Sequence, residues 1–249
     1  MSKRALVTGA GRGIGRAIAE RLAADGHRLV LVGRASVELD AVAAQTGGQI
    51  LHADLAERGA VEALVAALAP GDPIDVLVNN AGIADSAPLG RTSDELWDRM
   101  LEINVTQPFR LCRALVPGMA ARGFGRVINI ASTAGVTGYA YTAAYCASKH
   151  ALVGLTRALA VDFAAAGVTV NAVCPGWVKT RITEEATARI ASKTGRSVED
   201  AEATLAQMSP QRRLMEPAEI ANLVAMLASE ASRGINGQTL VVDGGGVMR

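Results

Sequence analysis

The chain has few of the residues that mark disulfide-rich, metal-binding or nucleic-acid-binding proteins. Among its 249 residues are only three cysteines, Cys112, Cys146 and Cys174, and they form no CxxC pair. This odd number of widely spaced cysteines predicts free, buried thiols and no disulfide framework. The three histidines are dispersed and predict no metal site. Because 25 basic residues stand against 24 acidic ones and no basic run exceeds two residues, we expect no nucleic-acid partner.

Long hydrophobic runs are also absent. The longest uncharged stretch, from Val127 to Ser148, is interrupted throughout by Asn, Ser, Thr, Gly and Tyr, which is not typical of a membrane span. The first residues lead straight into a strand-like segment, so we expect no signal peptide and a cytoplasmic protein without a membrane partner. Hydrophobic residues make up 50% and charged residues 20% of the chain, which excludes intrinsic disorder.

The chain instead alternates short β-branched runs with Ala- and Leu-rich segments of helical periodicity. Continuously apolar strands are typical of a parallel sheet that helices cover on both faces. We therefore predict an α/β fold: a Rossmann-like, doubly wound parallel sheet of about seven strands, in a single domain over residues 1–249. The predicted strands are 4–8, 28–33, 49–53, 75–79, 125–130, 169–174 and 238–242, and the predicted helices are 13–25, 36–46, 57–69, 93–121, 141–165 and 217–228.

One segment departs from this alternation. Between Pro175 and Glu216, 13 of the 42 residues are charged, a higher share than the 20% of the whole chain. The segment is too long for a simple connection, and it follows a strand end, where such sheets bind their ligands. We predict a substrate lid near residues 177–216. A solvated surface excursion is the alternative.

A glycine-rich turn, residues 8–15, follows the first predicted strand and precedes the first predicted helix. Glycines let the backbone approach a pyrophosphate closely, and the helix N-terminus offers free N–H groups. The pattern is TGxxxGxG, not the strict GxGxxG, so a tight structural turn is the alternative to a dinucleotide site. The turn residues predicted to contact the dinucleotide are Gly9, Gly11, Arg12, Gly13, Ile14 and Gly15.

The end of the second predicted strand favours NADP(H) over NAD(H). An NAD site usually carries an acid about 20 residues beyond the glycines. Here Gly33 and Arg34 stand at that place, and no acid occurs before Glu38. A guanidinium can bind a 2′-phosphate, and Arg12 can reach the same group. Either arginine alone is equally compatible with a solvated surface residue.

All three tyrosines lie between residues 139 and 145. Tyr145 and Lys149 are four residues apart, so they share one face of a helix. An ammonium beside a phenol favours the phenolate, so we expect Lys149 to lower the tyrosine pKa from about 10. A YxxxK pair is by itself more often structural. Ser132, however, follows a buried strand 13 residues before Tyr145, at a carboxyl strand end that faces the predicted cofactor site.

With these motifs the chain resembles the short-chain dehydrogenases/reductases over essentially its whole length. Among the members of that family it is similar to 3-oxoacyl reductases and polyketide-type ketoreductases. The matching elements are Thr8-Gly9-xxx-Gly13-x-Gly15, Asp54-Leu55, Asn79-Asn80-Ala81-Gly82, Asn104, Ser132, Tyr145-xxx-Lys149, Pro175-Gly176 and the terminal residues 237–245.

The resemblance implies a catalytic tetrad of Asn104, Ser132, Tyr145 and Lys149. In that scheme Tyr145 donates a proton to the substrate oxygen and Ser132 hydrogen-bonds the same oxygen. Lys149 holds the nicotinamide ribose, and Asn104 fixes a water beside Lys149, with closure of a helix kink as a second reading of that amide. The further cofactor-binding residues that the resemblance implies are Asp54, Leu55, Asn80, Ala81, Gly82, Pro175, Gly176, Val178 and Thr180.

These expectations predict an enzyme that transfers hydride from NADPH to a ketone or a 3-oxoacyl thioester and forms a secondary alcohol. An NAD-dependent secondary-alcohol dehydrogenase is the alternative, and a non-catalytic nucleotide-sensing protein is a third hypothesis that the intact tetrad disfavours. Candidate walls of the substrate pocket, for which ordinary packing is equally compatible, are Ile83, Tyr139, Tyr141, Thr142 and Trp177.

The helix after Tyr145 predicts an oligomer. From Ala147 to Ala165 only Lys149, Arg157 and Asp162 are charged, so the helix is apolar on more than one face. The family resemblance implies a homotetramer.

Overall fold

Seven parallel strands form one sheet in the computed structural model, which describes residues 2–248. The strand order is β3-β2-β1-β4-β5-β6-β7, and this arrangement confirms the predicted doubly wound fold. Each strand begins and ends within one residue of its predicted bounds. The strands are β1 (Arg4–Thr8), β2 (Arg28–Gly33), β3 (Gln49–His52), β4 (Val76–Asn79), β5 (Gly125–Ile130), β6 (Val168–Pro175) and β7 (Thr239–Val242).

Helices cover both faces of the sheet. Successive residues of a strand point to opposite faces, so a strand buried on both sides needs apolar residues at every position. In β1, Ala5 and Val7 join the core under the helices 13–24 and 217–228, while Leu6 joins the core under the helices 60–68 and 107–121. The helices are α1 (Gly13–Ala24), α2 (Val37–Thr46), α3 (Ala60–Leu68), α4 (Asp94–Leu101), α5 (Gln107–Ala121), α6 (Ala143–Phe163), α7 (Arg181–Thr194), α8 (Val198–Gln207) and α9 (Pro217–Ala228).

The helix predicted over 93–121 is not uniform, and that prediction is corrected. A π-helical turn, Glu102–Thr106, separates α4 from α5. Asn104 lies in this turn with 1% of its surface exposed. π-Helical turns inside α-helices are frequent at functional sites.

Segment 177–216 contains two helices, α7 and α8, that we did not predict. Their sequences are rich in charged and small residues, so no broad apolar stripe marks them. The capping signals were nevertheless present. Gly195 ends α7 in the left-handed conformation, and the Ser197 side chain accepts from the backbone N–H of Asp200 at the start of α8.

The parallel order brings the carboxyl ends of all strands to one edge of the sheet. The glycine turn follows β1, Arg34 follows β2, and Ser132 follows β5 at this edge. Within residues 2–248, no helix is long and apolar enough to cross a membrane.

Candidate active site

Ser132, Tyr145 and Lys149 meet where β5 ends against α6. Tyr145 and Lys149 lie one helical turn apart on α6. The Lys149 ammonium donates to the carbonyl oxygen of Ile130, the last residue of β5, at 2.9 Å. Its nitrogen lies 5.9 Å from the centroid of the Tyr145 ring. The structure therefore brings these three predicted residues together.

The environment of Tyr145 differs from our expectation. Tyr145 keeps part of its surface accessible, but burial of its hydroxyl raises its pKa to about 12, and hydrogen bonding with Ser132 only opposes the rise. The expected lowering of the tyrosine pKa by Lys149 is wrong for this arrangement, because desolvation is the largest influence on that pKa and Lys149 is not among the groups that shift it. At neutral pH the phenol therefore holds its proton.

Lys149 is shifted in the opposite direction. Only 5% of its surface is exposed, and burial lowers the pKa of its ammonium to about 8. Desolvation disfavours the charged form of an amine as it does that of a phenol. Lys149 therefore changes its charge near physiological pH.

Asn104 is held by hydrogen bonds at both ends of its amide. Its Oδ1 accepts from the backbone N–H of Ile83 at 3.0 Å, and its Nδ2 donates to the Ile83 carbonyl oxygen at 3.0 Å. The same Nδ2 donates to the Ser148 hydroxyl at 3.0 Å. The side chain thus closes the π-helical turn onto the strand-end loop, as the structural reading of this residue predicts.

The glycine turn is shaped for close approach. Gly9 has a φ of 65°, which favours glycine, and a Cβ on Gly15 would overlap the Gly9 carbonyl oxygen. The Asn80 side chain donates to the carbonyl oxygens of Thr8 and Gly9 at 2.8 and 3.2 Å. Asn80 therefore stabilises the glycine turn through two hydrogen bonds to its backbone.

The start of α7 lies against the glycine turn. A Cβ on Gly13 would lie 3.1 Å from the Thr180 side chain. Gly13, predicted to contact the pyrophosphate, and Thr180, predicted to contact the nicotinamide, are therefore neighbours. Gly176 approaches Asp243 closely, since a Cβ there would lie 2.7 Å from the Asp243 Cβ. Pro175 ends β6 directly before it.

Two predicted cofactor residues direct their side chains into the core. Val178 is 3% exposed and Leu55 is 8% exposed, and both pack in hydrophobic clusters. Only their backbones are available to a ligand. Ile14 and Ala81 also pack against those clusters but stay partly exposed, and Gly11 and Gly82 are partly exposed in their turns.

A cavity of about 380 Å³ lies at the ends of β2 and β3. Arg34, His52 and Asp54 line it. Arg12 and Arg34 are exposed, and neither forms an ion pair with any acid in residues 2–248. The residues present thus fit an adenosine that carries a negative group at this edge.

A second cavity, of about 240 Å³, lies between the residues that follow β5 and those that follow β6, and none of the four predicted catalytic residues lines it. Its wall includes Thr133, which directly follows Ser132, and the predicted wall residues Tyr139 and Trp177. Met208 and Val247, from the end of α8 and the C-terminal tail, also line it. Sequence reasoning missed both, and nothing in the local sequence around Val247 indicates that it reaches this site.

The other candidate wall residues lie at the edge of the site. The Ile83 backbone is bound by Asn104, and the Thr142 hydroxyl donates to the Tyr139 carbonyl oxygen at 2.9 Å. Tyr141 is 67% exposed and adopts a left-handed φ of 64°. Its carbonyl oxygen accepts from the backbone N–H of Ala87 at 2.8 Å, which joins the loop before α6 to the loop after β4.

Comparison with known proteins agrees with this geometry. A family model described as enoyl-(acyl carrier protein) reductase matches residues 9–246. The chain belongs to the short-chain dehydrogenase/reductase family. This assignment makes it an oxidoreductase and confirms the resemblance that the motifs carried.

Members of this family with different named activities are similar in sequence to this chain. A ketoacyl reductase of a monensin polyketide synthase from Streptomyces virginiae is 41% identical, with 98% of this chain and 97% of that protein covered. A D-beta-hydroxybutyrate dehydrogenase from Cupriavidus necator is 37% identical, with 98% of both chains covered.

A solved structure extends the likeness to the cofactor. A variant of actinorhodin polyketide ketoreductase with NADPH is 38% identical and superposes with a TM-score of 0.93, covering 98% of this chain and 97% of that one. NADPH in a short-chain dehydrogenase/reductase of this similarity agrees with the predicted NADP(H).

Proposed function

We propose that this short-chain dehydrogenase/reductase uses NADPH to reduce the carbonyl group of a ketone or a 3-oxoacyl thioester to a secondary alcohol. The observation that carries the proposal is the meeting of Ser132, Tyr145 and Lys149 at the carboxyl edge of the sheet. A protonated phenol is suited to donate a proton, which is what carbonyl reduction requires.

Tyr145 and Ser132 act on the substrate oxygen. The bound cofactor supplies the hydride, and the phenol supplies the proton that the oxygen then needs. Ser132 adds a hydrogen bond to the same oxygen, and such a donor stabilises negative charge as it develops. A backbone N–H, that of Ala134, already donates to the Ser132 hydroxyl at 3.1 Å and orients it.

Lys149 and Asn104 support these two residues. With its ammonium on the Ile130 carbonyl oxygen, Lys149 faces the cofactor edge and is placed to hold ribose hydroxyls. Asn104 fixes the strand-end loop through Ile83. A water between Asn104 and Lys149 is part of the proposal.

The cofactor lies along the carboxyl edge in this proposal. The glycine turn binds the pyrophosphate, Asp54 meets the adenine, and Arg34 with Arg12 binds the 2′-phosphate. Exposed guanidinium groups without acidic partners support this choice over NAD(H). Gly176 and Thr180 flank the nicotinamide.

The relatives and the second cavity support the proposed substrate class. The name ketoacyl reductase denotes an acyl chain with a keto group, and the name D-beta-hydroxybutyrate dehydrogenase denotes an acyl chain with an oxygen at its third carbon. The cavity beside Thr133 offers both apolar walls (Trp177, Met208, Val247) and polar groups (Tyr139) to such a chain. A 3-oxoacyl thioester is therefore the first substrate to test.

The test is a panel of substrates read by the absorbance of the reduced nicotinamide. We expect a short 3-oxoacyl thioester to be reduced with NADPH, at a higher kcat/KM than simple ketones. Oxidation of secondary alcohols with NAD alone, and no reduction of any carbonyl compound, would replace this proposal by the alcohol-dehydrogenase alternative. Nucleotide binding without turnover of any compound would favour the sensing protein.

We also propose that the protein is a homotetramer. On α6, Ala151, Gly154, Ala158 and Val161 are exposed along one face, and Val161 is 80% exposed. Small residues at this spacing let a second copy of the helix approach closely. Sedimentation at micromolar concentration should give the mass of four chains, and the mass of a single chain would contradict this proposal.

A further inference from the structure

A buried serine, Ser148, connects the proposed catalytic residues, although the scheme above gives it no role. It lies on α6 between Tyr145 and Lys149 and is 0% exposed. Its hydroxyl accepts from Asn104 Nδ2 at 3.0 Å and donates to the Tyr145 carbonyl oxygen at 2.8 Å. One hydroxyl group thus joins the π-helical turn to the turn of α6 that carries the tyrosine.

The direction of these hydrogen bonds is fixed by their partners. Asn104 Oδ1 accepts from the Ile83 N–H, so the other amide atom is the donor nitrogen. Its two hydrogens go to the Ile83 carbonyl oxygen and to Ser148. Because a carbonyl oxygen can only accept, the single hydroxyl proton of Ser148 goes to Tyr145. An alanine at position 148 would leave one buried Asn104 N–H with only the Met100 sulfur, 3.8 Å from Nδ2, as a weak acceptor.

We propose that Ser148 is a positioning residue for proton transfer from Tyr145. It touches neither substrate nor cofactor and acts through Asn104 and the backbone of Tyr145, which it holds in register with the strand-end loop at Ile83. This inference rests on the proposed function, since it presupposes that Tyr145 is the proton donor. Small misplacements of a reacting group reduce the rate more than they reduce binding.

The same helix contains a matched control. Thr156 is also 0% exposed, and its hydroxyl accepts from Asn129 Nδ2 at 2.9 Å and donates to the Leu152 carbonyl oxygen at 2.8 Å. The two hydroxyls have the same partners in kind, an amide and a helix carbonyl. Thr156, however, lies about two turns further from Tyr145. Loss of either hydroxyl removes an oxygen acceptor from a buried amide, so the losses of thermal stability should be similar.

The experiment compares Ser148→Ala with Thr156→Val in the full-length protein. For Ser148→Ala we expect kcat to fall by roughly tenfold, the effect of about one hydrogen bond, while the Kd for NADPH changes by less than about twofold. For Thr156→Val we expect a similar loss of Tm and an unchanged kcat. Ser148→Thr, which keeps the hydroxyl, should recover most of kcat. An unchanged kcat in Ser148→Ala, or an equal loss of kcat in Thr156→Val, would overturn the inference.

A double-mutant cycle tests whether Ser148 acts through Asn104. If it does, adding Ser148→Ala to Asn104→Ala causes little further loss of kcat; full additivity contradicts the inference. Tyr145→Phe separates the two proposals, since full activity of that variant defeats the proposed function itself. An inactive Tyr145→Phe beside a fully active Ser148→Ala defeats only the role of Ser148. Should Ser148→Ala not fold, Ser148→Cys, a weak donor and acceptor, carries the same comparison.

Discussion

Asn104 and Lys149, two of the proposed catalytic residues, are held by a different kind of contact from the one that joins α7 to the loop after β4. The Asn104 side chain donates to the Ile83 carbonyl oxygen in the loop after β4, and Lys149 donates to the Ile130 carbonyl oxygen at the end of β5; the first hydrogen bond is partly buried and the second is buried. In segment 177–216, Arg189 of α7 reaches Asp85 after β4 through an ion pair of 2.7 Å, with 32% and 47% of the two side chains exposed. Buried hydrogen bonds are little affected by salt, whereas exposed ion pairs are weak and screened. The hydrogen bonds of Asn104 and Lys149 should therefore be less sensitive to salt than the contact of Arg189 with Asp85.

The largest effect should come from Tyr145→Phe, which changes one of the proposed catalytic residues. The change removes only the hydroxyl, so we expect kcat to fall by about 10³-fold while NADPH still binds. Steady-state kinetics and a binding titration measure the two quantities. Tyr139→Phe removes a neighbouring hydroxyl, which donates to Thr133 at 2.9 Å, and should reduce kcat by a few-fold at most. Turnover of Tyr145→Phe at the unmodified rate would remove the tyrosine from the mechanism.

The second effect concerns the cofactor edge, where exposed charges act on a bound ligand. Each charge-assisted hydrogen bond from Arg34 to a 2′-phosphate is worth roughly 1.5–3 kcal/mol. Because Arg34 is exposed and solvent weakens such bonds, one or two of them should give a preference for NADPH over NADH of about ten- to a few hundred-fold. Arg34→Ala should remove most of this preference, measured as the ratio of kcat/KM at fixed ionic strength.

Three further variants sharpen that measurement. Gly33→Asp should lower the preference from the other side, because it adds a carboxylate beside the phosphate. Arg12→Ala combined with Arg34→Ala should remove what remains. Arg16, which pairs with Glu20 at 2.7 Å on α1, is the control, and Arg16→Ala should keep the preference. An unmodified enzyme that prefers NADH contradicts the role of Arg34.

Features that depend on the local sequence were predicted correctly, whereas features that depend on contacts between distant residues were not. Strands buried on both faces and glycines with special backbone geometry leave a signal in the local pattern, so β1 and the turn at Gly9 were found. The π-helical turn at Asn104 leaves no such signal, because it depends on hydrogen bonds to Ile83, 21 residues away. The tyrosine pKa was predicted in the wrong direction, since desolvation depends on everything packed around Tyr145. The reach of Val247 into the second cavity is likewise a property of tertiary packing.

The third effect, on the pH dependence of activity, tests whether Lys149 must carry its positive charge. Its pKa of about 8 lies below that of Tyr145, about 12. Raising the pH through 8 therefore discharges the lysine while the tyrosine stays protonated, and kcat/KM for carbonyl reduction should fall above about pH 8. Arginine stays charged throughout this range. Lys149→Arg should be slower overall but should lose this alkaline limb. An identical limb in Lys149→Arg would assign it to another group.

The smallest effect is expected at the exposed ion pair between Arg189 and Asp85. Arg189 also donates to the Ser86 hydroxyl at 3.2 Å. It therefore connects α7 to the loop after β4, just beyond Ile83, the residue of that loop that Asn104 binds. An exposed pair of this kind contributes about 0.2–1 kcal/mol. Arg189→Gln should therefore raise the KM of the carbonyl substrate by only about two- to fivefold, with kcat unchanged. Added salt should raise the KM of the unmodified enzyme towards that of the variant.

The control for this prediction lies on the same helix. Arg181 pairs with Glu185 at 2.9 Å, four residues on, and both side chains belong to α7. Arg181→Gln removes the same charge from the same helix without untying it from the loop after β4. If only Arg189→Gln raises KM and blunts its salt dependence, the ion pair holds segment 177–216 over the substrate cavity. Equal changes in the two variants would instead reflect the net charge of α7, and the segment would then be a solvated surface excursion, the alternative to a lid.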